Sequence, residues 1–164
     1  CLMLRVSYLR TVVSGAVKTA GAMAAVLAVV PDPSWLFMVS LFLCLFCWEV
    51  GGQNVPNDWS DMDEDARLDA ETIPVRFGPG RSAKLILIAL AAAVALSVLL
   101  YWATPARLSP FYIPAALAAG VFLLFVPAFR LYRNRLPRNA SMLFNRASYY
   151  PLTLFVIVLL SSML

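Results

Sequence analysis

The sequence predicts an all-α protein, a polytopic transmembrane helix bundle with about five spans. Three observations carry this. Of 164 residues, 62% are hydrophobic and 13% charged, with a mean hydropathy of +0.79, too apolar for a water-soluble domain. The apolar residues gather into runs near the roughly 20 residues that a helix needs to cross a bilayer. The charges are segregated: seven of nine acidic residues lie between Asp58 and Glu71, and outside that stretch only Asp32 and Glu49 are acidic.

The first span covers residues 11–30, rich in Ala and Val, with Lys18 inside it. Pro31-Asp32-Pro33-Ser34 makes a tight turn into the second span, residues 35–50. Residues 51–84 form a polar, aspartate-rich loop. The third span is residues 85–103, followed by a turn through Thr104, Pro105 and Pro110. Residues 111–129 form the fourth, with Pro114 and Pro127 as kinks of the kind membrane helices tolerate. A basic connector, residues 130–145, leads to the last span at 147–164. No internal repeat divides the chain, so residues 1–164 read as a single membrane domain. Cys1 stands where an initiating Met would, which suggests a trimmed or partial chain.

Threading five spans puts the amino terminus, the acidic loop and the basic connector on one side. That side holds every cation outside the spans except Arg107, so the positive-inside rule places the aspartate-rich loop in the cytoplasm. Trp35, Tyr101, Trp102 and Tyr112 mark the opposite boundary, as an aromatic belt would. The basic connector reads as a topological anchor on anionic lipid, and nothing points to a nucleic-acid partner. There is no histidine, which excludes histidine-dependent mechanisms and the commonest transition-metal ligand. Cys44 and Cys47 sit in an apolar helix without metal or redox spacing and read as packing residues.

Chemistry concentrates in Asn57-Asp58-Trp59-Ser60-Asp61-Met62-Asp63-Glu64-Asp65, continuing through Arg67, Asp69 and Glu71. Asn57, Asp61 and Asp65 are four apart, so on a helix they share one face, drifting about 40° per step. Carboxylates facing one way repel unless a cation lies between them. An oxygen-only ligand set suits a hard ion, and Mg²⁺ usually shares its shell with water and a substrate phosphate. A solvated acidic loop is the plainer alternative. Gly51-Gly52 either admits a close approach or simply ends the helix. Arg76 offers a partner for a diphosphate, whereas Arg81 and Lys84 read as snorkelling to head groups. Lys18, about two turns inside its span, calls for a counter-charge, with snorkelling as the alternative.

The run Gly51-Gly52-Gln53-Asn54-Val55-Pro56-Asn57-Asp58-Trp59-Ser60-Asp61 with Asp65, then Thr72-Ile73-Pro74-Val75 and Phe77-Gly78, resembles the UbiA superfamily of intramembrane prenyltransferases. Phe144-Asn145-Arg146-Ala147-Ser148-Tyr149-Tyr150-Pro151 resembles the lead into that family's last helix. The resemblance implies the carboxy-terminal part of a nine-span fold, carrying one of two aspartate-rich motifs. It also implies Mg²⁺-dependent transfer of a prenyl group from an isoprenyl diphosphate to a hydrophobic, often aromatic, acceptor in the bilayer, as in quinone or lipid biosynthesis. On that reading Asp61 and Asp65 are the catalytic metal ligands, and Lys18, Asn57, Arg67 and Arg76 bind the diphosphate. Asp58 and Asp69 support them from behind. A non-catalytic cation-binding or transport protein is the competing expectation.

Overall fold

The computed structural model describes residues 8–164. All regular structure among them is helical, and five helices are long and apolar enough to cross a membrane. They are α1 (Leu9–Val29), α2 (Trp35–Ser60), α4 (Ile73–Ala103), α5 (Tyr112–Asn134) and α6 (Pro137–Met163), with a short surface helix, α3 (Met62–Arg67), between α2 and α4. The starts of α1, α4 and α6 meet the ends of α2 and α5 at one end of the bundle. There Arg10 reaches Asp58, Ser60 reaches Ser141, and Gly80 lies against Arg135.

Each boundary has a local cause. Ser34 caps α2, its hydroxyl accepting the Phe37 N–H at 3.2 Å. The helix does not stop at Val50, where the loss of apolar residues suggested; it continues through the polar run to Ser60. Glu49–Asn54 form a π-helical stretch in which the Val55 N–H bonds to the Val50 carbonyl, five residues back. The wider turn makes room for Pro56, whose ring would clash with the carbonyl four back. The same device recurs at Val121–Phe125 in α5, ending two residues before Pro127. The backbone thus stays hydrogen-bonded at membrane depth, so polar side chains there need not end the helix.

The interval between α2 and α4 is correspondingly narrower than the 51–84 loop expected from composition. α4 starts at Ile73 and bends at Gly78, which has φ 73° and ψ 165° and precedes Pro79; only glycine takes that conformation without strain. The buried Ser82 hydroxyl lies 2.9 Å from the Gly78 carbonyl and 3.3 Å from that of Ile73, serving backbone the bend leaves open. α6 bends at Tyr149, two residues before Pro151 removes a helix donor.

Because lipid is as apolar as leucine, membrane helices associate mainly through close packing of small residues. α4 shows this as a buried stripe of Ala83, Ile86, Leu90, Ala93 and Ser97, spaced three and four apart. Gly51 and Gly52 let α2 close on two neighbours at once. A Cβ on Gly51 would lie 2.9 Å from that of Ala89 in α4, and one on Gly52 would lie 2.9 Å from that of Ala147 in α6. Trp48 locks the second contact by donating to the Ala147 carbonyl at 2.8 Å. Tyr112 and Tyr150, both buried, converge on Ser97 from α5 and α6. α1 is the outlier: it buries only Thr11, Gly15, Thr19 and Met23, one side chain per turn.

Candidate active site

The polar residues of α1 and α2 face one another across a cavity of about 420 Å³ at the end of the bundle described above. α1 contributes Arg10, Thr11, Ser14 and Lys18. α2 contributes Gln53, Asn54, Asn57 and Asp58, and Phe144 of α6 closes one side. The spacing on α1 is that of a single helix face. On α2 the π-helical stretch sets the register. In a regular α-helix Glu49 and Asn54 would stand about 140° apart, whereas a five-residue turn brings them into line. Lys18 accordingly reaches both, pairing with the buried Glu49 carboxylate and donating to Asn54 Oδ1 at 3.2 Å. Gln53 turns the other way, to the Phe144 carbonyl and the Ser148 hydroxyl.

Asp58, one turn beyond Asn54, is buried with both oxygens engaged. Oδ1 accepts from Arg10 at 2.9 Å and Oδ2 from the Thr11 hydroxyl at 3.1 Å. Asn54 completes the ring by donating to the Thr11 carbonyl at 3.1 Å. Two acids and two cations are therefore paired inside a largely apolar bundle, where an isolated charge is costly. Lys18 keeps 56% of its side chain exposed.

The residues singled out by spacing fall into two groups. Lys18, Asn57 and Asp58 belong to the cavity. Asp61 sits at the break between α2 and α3, with φ −103° and ψ 10°, so Asn57, Asp61 and Asp65 do not form one unbroken helical face. Asp61 is exposed at that break. Asp65 is partly buried one turn into α3, close enough to Asp58 for the two carboxylates to repel, and its Oδ2 is shielded with no hydrogen-bond partner among the described residues. Arg67 and Asp69 are exposed. Arg76 is taken up by Glu71 at 2.6 Å and lies 4.6 Å over the Tyr8 ring. Spacing alone passed over Glu49, Asn54, Arg10 and Thr11. The sequence offered one signal for the first: Glu49 is the only acid in the apolar run 35–50, as Lys18 is the only cation in the run 11–30.

Among the described residues no three acidic or thiol side chains converge as a closed metal cage. A hard divalent ion does not need one, since Mg²⁺ is commonly held by one or two carboxylates plus substrate phosphates. The Asp65 oxygen without a partner among the described residues is the kind of donor such an ion would satisfy, and the available donors are all oxygens. No curated protein and no solved structure matches the chain. The model of the UbiA prenyltransferase family matches residues 1–149, and the chain belongs to that family, whose members transfer prenyl groups within membranes.

Proposed function

We propose that this chain carries the diphosphate end of an isoprenyl diphosphate in the α1–α2 cavity and transfers its prenyl group to a hydrophobic aromatic acceptor, with Mg²⁺ as cofactor. The observation behind this is the cavity itself: paired charges, amides and a half-exposed lysine at the edge of an apolar bundle. Asp61 and Asp65 would hold the metal, and its charge would neutralise the diphosphate as a leaving group. Lys18, held by Glu49 and Asn54 while the site waits, donates to diphosphate oxygens as charge builds on them. Asn57 orients a phosphate oxygen, while Asp58 fixes Arg10 at the cavity wall. Arg67 and Arg76 draw the anion in from the surface, and Asp69 supports the acidic turn. The apolar walls keep water from the allylic cation.

The site end of the bundle is assigned to the cytoplasm, since all cations except Lys18 and Arg107 gather there. The test is transfer of a labelled prenyl group in membranes, at matched protein level. Asp61→Asn and Asp65→Asn should each lower the rate roughly 10²–10³-fold, or about 3–4 kcal/mol in the barrier. Asp63→Asn, on an exposed side chain, should change it far less. Full activity in both of the first two variants would remove the metal assignment.

A further inference from the structure

The cations of the α1–α2 cavity are paired with acids, but a second group at the same end of the bundle is not. Arg81 and Lys84 on α4, Arg133 on α5 and Arg135 just beyond it are exposed, and none forms an ion pair among the described residues. The backbone draws the two helices' cations together. Arg135 takes a left-handed conformation, φ 52° and ψ 29°, at a position where glycine or asparagine usually ends a helix. From there its side chain crosses to α4, where the guanidinium lies 3.6 to 3.8 Å from the place a Cβ on Gly80 would occupy. Gly80 and Lys84 are four apart and share a helix face.

Depth decides what such a group meets. Roughly 20 residues of helix cross the hydrocarbon layer. Counted back from Ala103, the end of α4, they reach Lys84; counted forward from Tyr112, the start of α5, they reach Leu131. Arg81, Arg133 and Arg135 therefore stand among the head groups, with Lys84 at the lower edge. Beneath them α5 carries a row of rings, Phe125, Phe129 and Tyr132, with centroids 6.4 and 6.5 Å apart. Both phenylalanines are exposed.

We propose that Arg135, Arg81 and Lys84 bind the phosphate of one anionic phospholipid, whose acyl chains lie along the exposed rings of α5. None of these residues lines the α1–α2 cavity, so the site is separate from the one that handles substrate. A guanidinium fork matches the two free oxygens of a phosphodiester, and Lys84 adds a further donor. With no carboxylate paired among these cations, nothing there holds a choline or ethanolamine ammonium, which selects an anionic head over a zwitterionic one. Cations lying among the head groups, rather than above them, favour a lipid over a soluble acidic protein.

The test uses the full chain purified in dodecyl maltoside and offered equal amounts of dioleoyl phosphatidylglycerol and dioleoyl phosphatidylcholine, with bound lipid counted by native mass spectrometry. Phosphatidylglycerol should be retained at one molecule per chain, about tenfold over phosphatidylcholine. Arg135→Gly suits the left-handed backbone better than arginine does. It should therefore unfold no more readily in added dodecyl sulfate, yet bind the anionic lipid about fivefold less. Arg146→Ala, which removes an exposed cation of α6, should leave lipid binding unchanged. Glycerol phosphate and geranylgeranyl diphosphate, the other sources of phosphate, should not displace the lipid. Equal retention of the two lipids, undiminished binding in Arg135→Gly, an equal loss in Arg146→Ala, or displacement by either competitor overturns the assignment.

Discussion

At the scale of single residues, the site is built by matching each charge at membrane depth to an opposite one. Lys18 meets Glu49 and Arg10 meets Asp58, and truncating one member of such a buried pair leaves the other uncompensated. The helix contact beside them depends on atoms that are absent. Gly52→Ala would force a Cβ to within 2.9 Å of the Ala147 Cβ, and neither group can rotate away. A loss of about 1–3 kcal/mol is expected from overpacking of that kind. Gly21→Ala, with nothing within 4 Å of the new carbon, should be neutral or better because alanine favours helix. Unfolding of the purified protein in mixed micelles by added dodecyl sulfate compares them. Equal loss in both variants would mean that the α2–α6 approach is not tight. The role of Lys18 was legible in the sequence because a cation inside a span demands an explanation. Glu49 was equally visible, but the pairing was not, since only the fold shows that α2 continues past Val50 and sets Glu49 level with Lys18.

At the scale of elements, α1 and the π-helical turn of α2 decide the site. α1 touches its neighbours along one narrow stripe, and polar contacts from Arg10, Thr11 and Lys18 fasten it. Gly15 sits at the centre of that stripe, where a Cβ would meet Val50 Cγ2 at 3.2 Å and Phe46 at 3.4 Å. Gly15→Leu should therefore lever α1 outward and open the cavity. Cysteines placed as Ser14→Cys and Asn54→Cys, with Cys1, Cys44 and Cys47 changed to Ala, measure the approach of the two helices through bifunctional cross-linking. Cross-linking should drop at least severalfold with Gly15→Leu present; undiminished cross-linking would show that α1 is held elsewhere. The spans themselves were legible as hydrophobic runs. The π-helical turn was not: the shift to Gly, Gln and Asn after Glu49 reads locally as a helix end. Only Pro56, which prefers the wider turn, hints that the helix goes on. That one-residue shift in register is why the four-residue series from Asn57 to Asp65 stood out, while the faces of Glu49, Asn54 and Asp58 did not.

At the scale of the whole molecule, hydropathy and charge asymmetry suffice for the bundle and its five spans, and the motif resemblance for the family. They also put the acidic segment at the same end as the basic connector. What they could not show was the division of labour inside the acidic stretch. Asp58 turns inward to Arg10 and Thr11, Asp61 marks a break, and Asp65 keeps a shielded oxygen without a partner among the described residues. The central claim is that this end of the bundle takes an isoprenyl diphosphate from the cytoplasm and, with a divalent cation, transfers its prenyl group. An isoprenyl diphosphate carries too much charge to cross a bilayer unaided, so sealed vesicles of opposite orientation separate the two faces. The decisive measurement supplies labelled geranylgeranyl diphosphate, Mg²⁺ and a quinol to the outside of each vesicle type, with and without a chelator. Transfer is expected in inside-out vesicles, is expected to stop when the chelator is added, and should be absent from right-side-out ones. Transfer confined to right-side-out vesicles, or indifferent to the chelator, would contradict the account.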